Sequence, residues 1–213
     1  VVAERPGRLS GAIVLVAHRD AAGSPALAEL SGTATLMEIA RLLSGRTTRR
    51  TIVLVSTSGG SGGAAGAAHW ADSVSGPVDA VLVLGDMAGT RQRRPQVVPW
   101  SNALGSAPQR LQRTVEQALR TESGPPGGSS TVMQALRLAF PLTVSEQGPI
   151  VEAGLPAVLV SASGELGPGP GDPVGAGRLE AMGRAVLRTL TALDEGPDVR
   201  PSGPPAVVLV RNQ

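Results

Sequence analysis

The chain has 213 residues, the size of one ordinary domain, with 19 basic and 17 acidic residues, a net charge of +2 and no cysteine. The lack of cysteine excludes disulfides, thiol catalysis and cysteine-ligated metals. All basic residues are arginine, so the isoelectric point of about 10.7 reflects groups that titrate far above neutrality and not a large excess of positive charge. Two short arginine runs, RTTRR and RQRR, make no basic stripe, and there are only two tryptophans, one phenylalanine and no tyrosine. A nucleic-acid partner is therefore not expected, and no apolar run is long enough for a membrane span within the sequence.

Buried strands and amphipathic helices alternate along the chain. Apolar runs bounded by turn residues predict strands, in chain order, within 1–7, 11–20, 50–56, 79–89 and 155–163, with an edge strand and loops in 91–106. Helical spacing of apolar residues predicts helices at 31–45, from the glycine-rich turn to about residue 73, at 107–121, 131–139 and 176–194, and one helical turn within 141–154. Strands separated by helices predict an α/β fold, a three-layer α/β/α sandwich around a mostly parallel, mixed central sheet.

The first helix is predicted in most detail. Leu36, Ile39, Ala40 and Leu43 fall on one face, and Ser31 and Gly45 are placed as its N-cap and C-cap. A single domain is predicted over residues 1–195. The proline-rich tail at 196–213 ends in AVVLVRNQ, which indicates an added edge strand or a linker.

In open α/β sheets the binding crevice lies beyond the carboxyl ends of the strands. The polar residues that follow the predicted strands are therefore the ones to test for a site, and they are His18, Asp20, Ser58 to Ser61, Asp86 and Ser161 to Ser163.

The turn at 59–63 reads GGSGG, between a strand and a helix, where a nucleophile elbow occurs. A serine hydrolase of that fold needs a histidine late in the chain, but the two histidines of this chain are His18 and His69, so the chain order is wrong. A P-loop is excluded because the chain has no lysine, and no acid is placed to hold the ribose of a dinucleotide. Taken alone, the turn is typical of a helix packed closely on a sheet.

Three further motifs carry ionisable groups. AHRD at 17–20 places an imidazole and a carboxylate two residues apart, Asp86 follows a buried strand in LGDMAG, and SEQG contains Glu146 and Gln147 before another strand. Taken singly, these motifs are typical of a surface hydrogen-bonded pair, an acid capping the following turn and a solvated loop.

The order of these motifs changes the interpretation. GAIVLVAHRDAAGSP, ELSGTATLMEIARLL, RTIVLVSTSGGSGGAAGAAHWA, VLVLGDMAG, SEQGPIVEAGLPAVLVS and GRLEAMGRAVLRTLTAL follow one another along the chain. In this order they resemble the strand, helix and loop motifs of the M28 family of zinc-dependent aminopeptidases. The resemblance implies the zinc-exopeptidase fold, of phosphorylase/hydrolase-like architecture, with two zinc ions bound between the loops.

The resemblance also assigns roles to positions. His18 and Asp86 fall on ligands of the first metal, and Asp20 falls on the acid that supports them. The bridging aspartate aligns with Ala28, one place before Glu29. The paired glutamates, a general base and a ligand of the second metal, align with Gly60 and Ser61, and the last histidine ligand aligns with Gln147.

Because zinc sites need three or four protein ligands and water activation needs a base, the sequence predicts a pseudopeptidase. On this hypothesis no cofactor is expected beyond weak zinc binding at one site. The vestigial positions are His18, Asp86, Asp20, Gly60 and Ser61, and the lost ligands are at Ala28, Ser61 and Gln147. The domain then acts as a binding or scaffolding unit whose crevice includes Glu29, Ser58 and Glu146, with an unknown peptide or protein as its ligand. The start VVAERPG without methionine is interpreted as that of an excised domain, the extracytoplasmic part of a larger membrane protein.

Two active alternatives remain open from the residues. In one, Ser61, His18 and Asp86 form a rebuilt serine hydrolase site with loop N–H groups as an oxyanion hole. In the other, His18 and Asp86 hold one metal with Glu29 or Glu146 as a shifted third ligand.

Overall fold

The structure is a computed structural model that describes residues 1–24, 26–60, 63–92, 94–102, 105–128, 139 and 142–197. The strands are β1 (Val2–Arg5), β2 (Ala12–His18), β3 (Thr51–Thr57), β4 (Val78–Leu84), β5 (Gln96–Val98) and β6 (Ala157–Ser161). The helices are α1 (Ser31–Leu43), α2 (Ala65–Ser73), α3 (Gln109–Glu122), α4 (Gln147–Glu152) and α5 (Ala176–Glu195). No helix in the described ranges combines the length and apolar character needed to cross a membrane.

The six strands form one mixed sheet in the order β1-β3-β2-β4-β6-β5. The four central strands are parallel, and β1 and β5 pair antiparallel at the two edges. Since parallel strands need crossover connections that cover the sheet faces, this topology confirms the α/β fold with a mostly parallel, mixed sheet.

Each face of the sheet carries its own apolar core, because successive strand side chains point to opposite faces. Ile13 and Leu15 of β2 pack with buried residues of α1, α3 and α5. Val14 and Val16 pack on the other face, with buried residues of α2 and α4. The molecule therefore has three layers, helix, sheet and helix, built almost entirely from aliphatic side chains.

Helix α1 approaches the sheet at its first turn. A Cβ atom at Gly32 would lie 2.3 Å from the backbone oxygen of Leu84, so only glycine permits this distance. Ser31, predicted as the N-cap, is instead the first helical residue, and the preceding Leu30 makes no side-chain cap. The Ser31 hydroxyl instead accepts the N–H of Met87 at 2.7 Å, in the turn after β4. Gly45 follows the helix with φ of +76°, which fits its predicted terminating role.

Most predicted elements agree with the observed ones. The strongest predicted helix, 176–194, is α5, and the single turn expected within 141–154 is α4. The helix predicted at 131–139 and the strand or linker predicted in the tail lie outside the described residues, apart from residues 139, 196 and 197.

Arg50 joins the start of β3 to the end of α5 and is 1% exposed. Its Nε donates to Asp79 Oδ2 at 2.8 Å. Its Nη1 donates to the backbone oxygens of Leu193 at 2.7 Å, Asp194 at 2.8 Å and Gly196 at 3.2 Å. A buried guanidinium is tolerated only when its donors are satisfied, and here it also satisfies carbonyl groups at the carboxyl end of α5, which have no partner within the helix.

Replacing Arg50 with methionine is expected to lower the free energy of unfolding by about 3–5 kcal/mol, because Asp79 and three carbonyls lose a buried donor. Urea denaturation followed by circular dichroism measures the change. Arg41→Met is the matched control, since Arg41 pairs with Glu38 on the exposed surface of α1, and this variant is expected to keep the wild-type midpoint. Equal midpoints for the two variants would contradict the role given to Arg50.

Candidate functional site

A cleft of about 270 Å³ opens at the carboxyl ends of the parallel strands. His18 at the end of β2, Asp86 after β4 and Ser161 at the end of β6 contribute to its lining. Other acidic side chains in its wall come from the loops, and they are Glu29, Glu146 and Glu165. The site therefore lies where the topology of the sheet predicts it.

His18 is paired with Glu146, 128 residues later in the chain. The His18 Nδ1 atom lies 3.3 Å from Glu146 Oε2, and Thr57 at the end of β3 donates its hydroxyl to Glu146 Oε1 at 2.6 Å. Glu146 is 4% exposed. One buried carboxylate thus connects the ends of β2 and β3 to the loop before α4.

The hydrogen bond to Glu146 raises the pKa of His18 above its ordinary value of 6.5. Burial acts in the opposite direction, while the negative charges of Glu146, Asp20 and Glu29 add to the increase. The imidazolium form is therefore stabilised by its pairing, in spite of its partial removal from water.

Asp86 is 2% exposed, and its carboxylate is surrounded by donors from the protein. The Oδ1 atom accepts the backbone N–H groups of Ala88 at 2.9 Å and Gly89 at 2.7 Å, and it lies 3.3 Å from Ser31 Oγ. The Oδ2 atom accepts a hydrogen bond from the Ser163 hydroxyl. Asp86 therefore caps the turn after β4, as expected from the motif taken alone, and it also connects α1 to the loop after β6.

The glycine-rich turn lies directly against His18. A Cβ atom at Gly60 would lie 2.6 Å from both Cβ and Cγ of His18, so any side chain at position 60 requires the turn or the imidazole to move. The Gly60 N–H donates to Asp20 Oδ1 at 3.2 Å, which fixes the turn on the AHRD motif. Ser61 lies outside the described residues, so its predicted approach to His18 and Asp86 stays a prediction.

The other two positions assigned as lost ligands hold buried side chains. Ala28 is 3% exposed, and its backbone oxygen lies 2.5 Å from Ser31 Oγ. Gln147 begins α4, is fully buried, and donates through Nε2 to Thr143 Oγ1 at 3.0 Å and to the Trp100 oxygen at 3.3 Å. Its Oε1 atom is a buried acceptor without a hydrogen-bond partner.

The remaining predicted crevice residues differ in position. Glu29 lines the cleft and accepts the Ala22 N–H at 2.9 Å. Ser58 is exposed and is not part of the cleft lining. Glu165 was not singled out from the sequence, because it lies in a glycine- and proline-rich loop with no motif around it.

A pair of zinc ions does not fit the side chains that the structure describes. No three histidine, aspartate or glutamate side chains within the described ranges converge on a point that could hold a metal. Glu146 faces the His18 imidazole, Asp86 accepts protein donors on both oxygens, and Ala28 and Gly60 provide no donor atom from a side chain. A shifted third ligand from Glu29 or Glu146 is therefore not assembled in this arrangement.

The profile of peptidase family M28 matches residues 1–163, about three quarters of the chain. The chain belongs to peptidase family M28. This membership agrees with the order of motifs along the sequence, and the parallel core of the sheet places the motif ends at one edge, as the family resemblance implies.

Solved structures of similar fold include an aminopeptidase from Aneurinibacillus sp. strain AM-1, with a TM-score of 0.71 and 17% identity, covering 95% of this chain and 49% of that one. The zinc aminopeptidase BSAP from Bacillus subtilis has a TM-score of 0.66 and 16% identity, with coverage of 89% and 48%. A glutaminyl cyclase from Porphyromonas gingivalis has a TM-score of 0.62 and 19% identity, with coverage of 89% and 75%. Comparison with curated proteins finds no significant match.

At these identities the likeness establishes the fold alone. The chain spans about half the length of the two aminopeptidases. The M28 fold is therefore shown, and the activity has to be argued from the side chains of this chain.

The His18 imidazole is expected to titrate above pH 6.5, and Glu146→Gln is expected to lower this pKa, because the paired charge is removed while burial remains. Since the folded-state pKa is raised, the stability that the pair contributes is complete below the unfolded-state pKa and disappears as the pH rises through the folded-state value. NMR titration of the ring carbons measures both pKa values, with His69→Gln to assign the signals. Glu29→Gln, which removes a charge that contributes less to the raised His18 pKa, serves as the control and should change that pKa less.

Proposed function

We propose that this M28 domain is a non-catalytic binding or scaffolding unit whose crevice holds a peptide or protein segment. The observation that carries the proposal is the state of the two retained ligand positions. Asp86 is saturated with donors from its own turn and from Ser163, and His18 is covered by Gly60 and paired with Glu146. Both side chains therefore act as structural links between loops in this arrangement.

The chemistry of the lost positions supports the same proposal. A dinuclear site needs a bridging carboxylate and a base held near the metal-bound water. Those positions carry Ala28 and Gly60, and the position of the last histidine ligand carries Gln147, whose amide is bonded away from solvent. Zinc chemistry of the aminopeptidase type would require at least three new donors.

Purified protein that has been incubated with zinc and then dialysed is expected to contain well below one zinc ion per chain, as measured by atomic emission. The same protein is expected to release no nitroaniline from leucine p-nitroanilide. Stoichiometric zinc together with turnover would refute the non-catalytic proposal. A rebuilt variant, Ala28→Asp with Gln147→His, is expected to raise zinc content and to gain thermal stability from zinc, since a carboxylate and an imidazole return. Ala28→Asn with Gln147→His is the matched control, because the asparagine side chain has the same shape as aspartate but no charge.

The cleft favours a ligand with cationic groups. Glu29 and Glu165 line it without an arginine among the described residues, beside Asp86, which accepts protein donors, and Glu146, whose charge is paired with His18. At the mouth, Val144 is 62% exposed and Leu166 is 88% exposed. Carboxylates beside an apolar rim suit a segment that alternates basic and apolar side chains.

A fluorescein-labelled peptide of alternating arginine and leucine is expected to bind more tightly than its glutamate–leucine counterpart, by fluorescence anisotropy at low salt. Glu29→Gln with Glu165→Gln is expected to weaken this binding at least fivefold, because two cleft charges are removed. Glu38→Gln on the outer face of α1 is the control for a general charge effect. Equal binding of the two peptides, or equal effects of the cleft and control variants, would exclude the crevice as the site.

One observation favours a second candidate function, a serine-dependent hydrolase. The contact between His18 Nδ1 and Glu146 is the pairing of a general base with its orienting acid, and Gly60, which touches His18, precedes Ser61 in the chain. In this version Glu146 takes the place that the sequence prediction gave to Asp86. A fluorophosphonate probe separates the two functions, because labelling that is lost in Ser61→Ala supports the hydrolase and absence of labelling rejects it.

The proposed setting of the domain is the extracytoplasmic part of a larger membrane assembly. This proposal rests on the non-catalytic function proposed above, because a scaffolding domain without turnover acts by binding a partner. Cleavage of the domain by protease added to intact cells would support it, and full protection would contradict it.

A further inference from the structure

Among the described residues, the β1 edge of the sheet has no further strand beside it. Within the described ranges, β1 pairs only with β3, and its Val2 side chain is 57% exposed. An exposed strand edge with apolar residues is a template for another strand, so the question is which strand covers it.

The hydrogen-bond pattern identifies the free backbone groups of β1. The Val1 nitrogen donates to Ser56 O at 2.8 Å, and Ser56 N donates to Val1 O at 2.8 Å. Antiparallel pairs alternate between bonded and non-bonded residues, so Val2 and Glu4 direct their N–H and C=O groups away from β3. Pro6 has no N–H and ends the usable edge. The edge therefore offers up to four backbone hydrogen bonds.

The chain leaves α5 next to the Arg5 end of this edge. Asp194 accepts the backbone N–H groups of Arg49 at 3.1 Å and Arg50 at 2.6 Å. The Arg49 oxygen in turn accepts the N–H groups of Arg8 and Leu9, both at 2.7 Å. The carboxyl end of α5 is thus fixed within one loop of the end of β1.

The sequence beyond this point has the length and pattern of a covering strand. Residues 206–210 read AVVLV, a β-branched apolar run directly after two prolines. Ten residues, 196–205, separate it from α5, and at roughly 3.3 Å per residue they reach about 33 Å when extended. Prolines before the run are compatible with an outermost strand, where one side needs no donor.

We propose that residues 206–210 bind the outer edge of β1 as an antiparallel seventh strand, bonded to the backbone of Val2 and Glu4. The chain enters beside Arg5 and runs toward Val2, so the apolar side chains of the segment cover Val2. The proposal concerns a different surface from the crevice and does not depend on the function proposed for it.

The absence of cysteine makes a direct test possible in the whole chain. Val2→Cys or Glu4→Cys is combined with one cysteine at 207, 208, 209 or 210, and the oxidised fraction is measured in a glutathione redox buffer. We expect intramolecular disulfides with one tail position preferred over its immediate neighbours, because neighbouring strand residues face opposite sides. Moving the β1 cysteine from position 2 to position 4 should move the preferred tail position two residues toward the amino terminus.

The control places the β1 cysteine elsewhere. Met37→Cys, at a comparably exposed site on α1, should form at least tenfold less intramolecular disulfide with the same tail cysteines. A preferred position that moves toward the carboxyl terminus would indicate a parallel strand and overturn the proposal. So would equal oxidation with Met37→Cys, or disulfide found only between two chains, which would indicate that a second copy covers the edge.

Backbone exchange provides a second readout without cysteines. By NMR, the Glu4 amide of the full chain is expected to exchange at least tenfold more slowly than in an unstructured peptide. Of the two single variants Val207→Pro and Val208→Pro, one should abolish this protection and the other reduce it less, because alternate residues of the segment face β1. Fast exchange of the Glu4 amide in the unmodified chain would overturn the proposal.

Discussion

A carboxylate can be buried only where hydrogen-bond donors of the protein replace its bound water. Two such carboxylates lie at the edge of this sheet where the parallel strands end, and they connect the surrounding elements. Asp86 is connected by hydrogen bonds to the turn after β4, the start of α1 and the loop after β6. Glu146 draws together the ends of β2 and β3. These two acids therefore fix the loops after β4 and β6 and the segment before α4, which form part of the cleft wall.

The same requirement explains why an M28 fold can persist with altered side chains at the site. A charge buried at this edge has to be compensated by partners within the protein. Here Gly60 allows the turn to rest on His18, His18 is available to Glu146, and backbone amides with two serine hydroxyls surround Asp86. Hydrogen bonds within the chain therefore fix the ionisable side chains in the crevice wall.

The opposite end of the molecule depends on a buried cation. Arg50 binds the carboxyl end of α5 to the start of β3, and Asp194 binds the backbone of the same segment. The position at which the chain leaves α5 is therefore fixed relative to β1. A fixed point of departure lowers the loop-closure entropy cost of the strand pairing that we propose for the segment beyond α5.

The sequence alone determined the alternation of strands and helices, the layered α/β architecture and the edge at which a site lies, because apolar periodicity and the carboxyl-end rule depend on local pattern and topology. It also determined which donor atoms positions 28, 60 and 147 can offer, since alanine and glycine have none and glutamine is neutral. Only the tertiary structure decided how the retained groups are used. The pairing of His18 with Glu146 spans 128 residues. The hydroxyl of Ser31 accepts the N–H of Met87 in the turn after β4 and does not cap its own helix. These partners are chosen by burial and distance in the folded chain, which no local pattern records.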